Sequence, residues 1–80
     1  MREWMATARN EKNLTMAKVA ERCGISESYY SLIEAGERQK RLDITLAVKL
    51  SDVLGLPLDE IVKQDAAWTK QEESENENKM

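Results

Sequence analysis

The chain has 80 residues, of which 41% are hydrophobic, so it has room for one domain around one small core rather than for an enzyme with a deep cleft. It has no His and a single cysteine, Cys23, which excludes a Cys/His metal site, an intramolecular disulfide and a His-assisted nucleophile. Twelve basic against fifteen acidic residues give a net charge of -3, and the excess acid lies mostly in residues 63–80.

The spacing of the apolar residues predicts helices throughout the chain. They recur at intervals of three and four rather than alternating, which is typical of an all-α domain. The first helix carries an apolar stripe that includes Trp4 and Met5 and ends near Lys12. Asn13 follows, and asparagine readily takes the left-handed conformation that ends a helix.

The second and third helices each have a polar cap and a terminal glycine. Thr15 has the side chain to cap the second helix, which ends at Gly24. Ser26 caps the third helix, which runs to about Ala35. Glu27 in its first turn is favourably placed against the helix dipole.

Two more helices complete the predicted domain. Asp43 caps a fourth helix, which ends at Gly55, and Pro57 fits the first turn of a fifth. Trp68 continues the inward face of that helix, so we predict that it extends to Trp68. Residues 69–80 offer nothing to bury, which predicts a helical domain over residues 1–68 and an acidic, disordered tail over residues 69–80.

The segment that joins the second and third helices carries the most information. A small residue, Ala20, lies four positions before Gly24, and the apolar residues Ile25, Tyr30 and Ile33 follow. A small side chain lets two helices cross closely, a glycine makes a tight turn, and later apolar residues hold the second of the two helices at a steep angle. The exposed N-terminal half of that helix can then enter the major groove of DNA.

This arrangement resembles the Cro/repressor-type helix-turn-helix family, which includes phage-repressor and xenobiotic-response-element-like domains. The resemblance runs from about Met5 to Val62 and rests on positions in all five predicted helices. These positions are Leu14-Thr15, Ala20, Gly24-Ile25-Ser26, Ser28-Tyr29, Ser31, Ile33-Glu34, Gly36, Arg38, Leu54-Gly55-Leu56 and Leu58-Asp59-Glu60. It implies a five-helix, lambda-repressor-like DNA-binding domain with its helix-turn-helix at the second and third helices.

By the same resemblance, four residues of the third helix face the base edges. Glu27 would accept from a cytosine N4, Ser28 would donate or accept, Leu32 would pack on a thymine methyl, and Tyr29 would lie between base and backbone. Two of them have other interpretations. Glu27 could serve only the helix dipole, and Leu32 could be a partner contact or an isolated exposed residue.

The resemblance also implies phosphate contacts from helix N-termini and from the basic connection after the third helix. The expected residues are Thr15, Lys18, Ser31, Arg38, Lys40 and Arg41. The alternative is that the basic run is a solvated loop.

Arg9 and Glu34 occupy positions at which such domains often join the first helix to the end of the third. We expect a partly buried ion pair with a structural role, the alternative being a solvated, unpaired Arg9.

Three positions depart from the family pattern. Met16 stands where the family commonly has a phosphate-binding Gln, Ala35 replaces an Asn, and Leu32 replaces a polar or basic residue. These departures remove polar contacts to DNA without disturbing the core positions.

The resulting prediction is a sequence-specific, cytoplasmic DNA-binding regulator, a dimeric repressor that acts by occluding its operator. Its partners would be double-stranded DNA and a second copy of the chain, with no cofactor, metal, membrane or small-molecule substrate. Trp68 and the end of the fifth helix are expected at the dimer interface, unless Trp68 covers its own core. The alternative, from another class, is a protein-interaction or antitoxin-like module on the same fold with weak or no DNA binding.

Overall fold

A computed structural model describes the backbone of residues 1–78 and the side chains of residues 1–72. The described residues form helices and no strands. The helices are α1 (Glu3–Glu11), α2 (Met16–Cys23), α3 (Glu27–Ala35), α4 (Ile44–Leu54) and α5 (Leu58–Asn78). The predicted all-α fold is confirmed.

The helix ends follow from local side-chain chemistry. Thr15, Ser26 and Asp43 precede α2, α3 and α4, and each accepts a hydrogen bond from the backbone N–H three residues later, at 2.8 to 3.1 Å. Each cap satisfies an N–H that the helix itself leaves unpaired. Asn13 takes the predicted left-handed conformation, with φ of 57°, between α1 and α2.

The core draws on all five helices. α2 packs on α3 and α4, α4 packs on α5, and α1 packs on α3. The fully buried apolar side chains include Met5, Val19, Tyr30, Ile33, Leu50, Leu54 and Ile61. Burial of each side chain of this size contributes roughly 1.5–3 kcal/mol, and this core holds α3 with its other face towards solvent.

α5 is longer than predicted, because it continues past Trp68 to Asn78. Its added turns are rich in Lys, Gln and Glu, which are strong helix formers and need no burial to continue a helix. The Thr69 hydroxyl also donates a 3.3 Å hydrogen bond to the Lys40 carbonyl, which ties this part of α5 to the α3–α4 connection. Residues 79–80 of the predicted tail lie outside the described residues, and the division of the chain at Trp68 stays a prediction.

Trp68 is only 9% exposed. A Cβ added to Gly36 would lie 2.7 Å from Cζ2 of Trp68, so the indole packs directly against the end of α3. The guanidinium of Arg2 lies over the same indole, 4.2 Å from the centre of the ring. The ring therefore covers the chain's own core, which is the alternative stated for Trp68 above, and it does not offer an exposed surface for dimerisation.

Candidate nucleic-acid interface

The turn between α2 and α3 has the geometry that the sequence predicted. Gly24 has φ of 73° in the left-handed region, where a side chain would be strained, and its N–H closes the end of α2. Ala20 is 1% exposed, and its carbonyl accepts from the Ile25 N–H at 3.0 Å. The small side chain and the tight turn bring α3 across α2, with Tyr30 and Ile33 buried beneath it.

The first turn of α3 is the most accessible part of that helix. Glu27 and Ser28 are exposed, and neither side chain is needed for the cap, which Ser26 supplies. Leu32 is half-buried one turn later on the same helix. These side chains can therefore reach a groove without any rearrangement of the core.

Tyr29 is held differently from its neighbours. Its ring is half-buried against the core, and its hydroxyl accepts a 2.8 Å hydrogen bond from Nε2 of Gln39 in the α3–α4 connection. A phenol has one hydrogen of its own, so the hydroxyl can still donate to a base or a phosphate.

The predicted phosphate contacts at α2 surround its N-terminus. Thr15 is exposed, and its hydroxyl accepts from the Lys18 N–H at 3.1 Å, which leaves the hydroxyl hydrogen available to a phosphate oxygen. The Lys18 ammonium forms an exposed ion pair with Glu21 at 3.5 Å, and such a pair is worth under about 1 kcal/mol. Ser31 on α3 is half-buried.

The α3–α4 connection presents the basic run. Arg38 and Lys40 are exposed, and their side chains donate to nearby carbonyls, those of Glu37 at 3.3 Å and Gly36 at 3.5 Å. Contacts of this length are weak and can give way to a phosphate. Arg41 is exposed too, but it lines a groove between this connection and α5, and Arg38 does not line that groove.

Arg9 and Glu34 come together as a bidentate pair that joins α1 to α3. Nε and Nη2 of Arg9 each donate to one oxygen of Glu34 at 3.1 Å, and Nη1 donates to the Leu14 carbonyl at 2.9 Å. Glu34 is 1% exposed, and its hydrogen bonds raise the pKa of Arg9, so the guanidinium stays charged. Burial raises the pKa of the neighbouring Tyr30 well above its ordinary value, with Glu34 adding to the shift, so its hydroxyl stays protonated.

A second buried ion pair, between Arg2 and Asp65, was not predicted from the sequence. Nε of Arg2 donates to Oδ1 of Asp65 at 2.7 Å, and the two residues are 0% and 7% exposed. The signal was the register of Asp65, which falls between Ile61 and Trp68 on the inward face of α5. A carboxylate at that position needs a partner, but nothing in the spacing of the chain points to Arg2.

A metal site, a reactive thiol and a membrane span each place requirements on the described residues. No group of three or more acidic, Cys or His side chains within residues 1–72 could hold a metal ion. Cys23 is buried, and burial raises the pKa of its thiol, which makes it a poor nucleophile. No helix among residues 1–78 is long and apolar enough to cross a membrane.

The model of the helix-turn-helix family matches residues 5–61, which is more than half of the chain. The chain belongs to this Cro/C1-type helix-turn-helix family. It is also similar to the clp gene regulator ClgR from Corynebacterium glutamicum, whose crystal structure matches with a TM-score of 0.70 at 19% identity and covers 91% of this chain and 76% of that chain. That likeness shows the fold alone, and no curated protein matches the chain. Family membership places the chain among DNA-binding transcription regulators and not among enzymes.

Proposed function

We propose that this helix-turn-helix chain is a sequence-specific DNA-binding regulator that acts in the cytoplasm as a dimeric repressor. The observation that carries the proposal is the exposed first turn of α3, held by a buried core on one side and followed by a basic connection. The mechanism has no catalytic step. Two α3 helices about one turn of DNA apart would occupy a palindrome and block polymerase.

Base readout is assigned to the outer face of α3. Glu27 accepts from a cytosine N4, Ser28 donates to or accepts from a base edge, and Leu32 packs on a thymine methyl. Tyr29 donates from the hydroxyl that Gln39 holds in place. Each good base contact is worth about 1–3 kcal/mol of discrimination.

Phosphate contacts position the domain without reading sequence. They are assigned to the N-terminus of α2, to α3 and to the connection that follows it. The residues are Thr15, Lys18, Ser31, Arg38, Lys40 and Arg41. With a net charge of -3, the chain relies on where its cations lie rather than on its overall charge.

A salt series tests this assignment. The affinity for a duplex selected by the protein from a random pool is measured by fluorescence anisotropy between about 50 and 200 mM salt, a range over which phosphate contacts lose most of their strength. Arg38→Ala should weaken binding to all sequences alike and lower the salt slope by about one unit. The matched control is Lys63→Ala, which removes a cation from α5, a helix that packs mainly on α4. The salt slope of this variant should equal that of the wild type.

Absence of binding at the lowest salt would overturn the proposal. It would favour instead a protein-interaction or antitoxin-like module on the same fold. Met16 and Leu32 support that alternative, because they replace polar residues of the family pattern.

The dimer is assigned to the exposed apolar side chains of α4 and α5 instead of to Trp68. Ile44, Val48 and Val62 are 66%, 50% and 52% exposed. Val62 lines a groove of about 580 Å³ between α4 and α5, with Ala47 and Ile61 also in its walls. Burial of these exposed apolar side chains between two copies favours association. A dimer also has twice the small DNA contact surface of one copy.

Sedimentation equilibrium at tens of micromolar protein tests the dimer. The wild type should sediment as a dimer and Val62→Glu as a monomer, because a buried, unpaired carboxylate opposes association. Thr7→Glu, at an exposed position on α1, is the control and should leave the dimer intact. A monomeric wild type, or an unchanged dimer in Val62→Glu, would contradict this interface.

A further inference from the structure

Arg2 is a charged residue that has no exposed surface. Besides Asp65, its guanidinium donates to three backbone carbonyls. Nη1 donates to Ile33 at 2.7 Å and to Arg38 at 3.1 Å, and Nη2 donates to Gln39. The rigid fork of an Arg side chain fixes the acceptors that it binds relative to one another.

All three carbonyls lie in one stretch of backbone. Ile33 is in the last turns of α3, and Arg38 and Gln39 are in the connection to α4. The partner carboxylate holds the far end of the same stretch, because Oδ2 of Asp65 accepts from the Leu42 N–H at 3.1 Å. A single buried ion pair therefore holds the connection from the end of α3 to Leu42.

Gln39 links this buried support to the DNA-facing side. Its backbone is in the left-handed region, with φ of 57°, which a non-glycine residue adopts only at a cost. Its side chain donates to the Tyr29 hydroxyl at 2.8 Å and accepts from the Asp43 N–H at 3.1 Å. The carbonyl that Arg2 binds and the side chain that holds Tyr29 belong to the same residue.

We propose that Arg2 and Asp65 are positioning residues for DNA binding, which hold the α3–α4 connection in the conformation that presents Arg38 and Lys40 to phosphates. Neither residue touches DNA. With the pair broken, the connection must be ordered when DNA binds, and fixing the backbone of even one residue lowers affinity about tenfold. The inference rests on the proposed function, since it supposes that the connection binds phosphate.

The variant Asp65→Asn tests the inference, because it keeps the shape of the side chain and removes its charge. Binding is measured on a random-sequence duplex of about 30 base pairs, roughly three turns of DNA, at a temperature at which every variant is folded by circular dichroism. Asp65→Asn should bind about tenfold more weakly, and amide exchange at Leu42 should become faster. Val53→Ala, in the last turn of α4 at the opposite end from the connection, is the control that lowers stability without loosening the connection, and it should bind as the wild type does.

A double-mutant cycle separates positioning from general stability. In an Arg38→Ala/Lys40→Ala background the loss caused by Asp65→Asn should shrink to below about twofold, since the side chains that the pair positions are gone. Gln39→Ala, at a half-buried surface position, provides a second variant if Asp65→Asn does not fold, and it should weaken binding while leaving the core intact. Equal affinities of wild type and folded Asp65→Asn, or a full loss retained in the double background, would overturn the inference. A wild type that does not bind the duplex at all would instead overturn the proposed function.

Discussion

Replacing Glu34 by Ala removes one partner of the buried pair that joins α1 to α3. The side chains of Arg9 and Glu34 are 12% and 2% exposed, so Arg9 would keep its charge without the two 3.1 Å bonds that compensate for its burial. Breaking a buried pair in this way costs about 3–5 kcal/mol. Since Arg9 retains the Leu14 carbonyl at 2.9 Å and some contact with water, we expect about 3 kcal/mol, the lower end of that range.

Thermal and urea unfolding measure this loss. In a domain of this length about 3 kcal/mol corresponds to a fall in Tm of about 12 to 24 °C. Glu21→Ala is the matched control, because Glu21 pairs with Lys18 at 3.5 Å while 73% exposed, and its cost should stay below about 1 kcal/mol. The double variant Arg9→Met/Glu34→Leu should recover most of the loss, since it leaves no charge unpaired. A Glu34→Ala protein within about 1 kcal/mol of the wild type would show that the pair is not effectively buried.

Two further predictions concern the end and the centre of α3. Gly36→Ala should lower the free energy of unfolding in urea by roughly 2–4 kcal/mol, because φ of 85° and the 2.7 Å approach to Trp68 both oppose a Cβ. The control is Gly24→Ala, which has φ of 73° but open space around the added Cβ, and it should cost only about 1–2 kcal/mol. Equal costs for the two variants would contradict the close packing of Gly36 on Trp68. Burial raises the pKa of Tyr30 above its ordinary value of 10.0, so its contribution to stability is present below that pH and is lost as the pH rises further. Tyr30→Phe should therefore flatten the fall in Tm above about pH 10, and parallel curves would refute this.

The fold was predictable because its determinants are local or periodic. Thr15, Ser26 and Asp43 cap their helices through atoms three residues away, and such bonds can be predicted from short stretches of sequence. The path of the α3–α4 connection was not predictable, because Arg2 reaches it from 31 to 37 residues away. The two alternatives for Trp68 could not be decided from the sequence for the same reason, since the groups that cover it, Gly36 and Arg2, belong to distant parts of the chain.

The candidate site was predictable only in part. The accessible positions on α3 follow from helical periodicity once the core face is known. The direction of the basic side chains does not, because Arg38, Lys40 and Arg41 are all exposed but Arg41 also lines the groove beside α5. Whether Ser28 bonds a base or a phosphate depends on how the duplex docks, which the sequence of the protein does not contain.

Base reading by α3 can be measured as a ratio of two affinities. The affinity ratio between the selected duplex and a duplex mutated within that site is determined for the wild type and for the double variant Glu27→Ala/Ser28→Ala. Both residues are exposed and outside the cap and the core, so the variant should fold as the wild type does. We predict that the discrimination falls by about 1–3 kcal/mol for each base-reading side chain that is replaced, while the salt slope is unchanged. A folded double variant that retains the full preference for the selected site would contradict the claim that these α3 residues read the sequence.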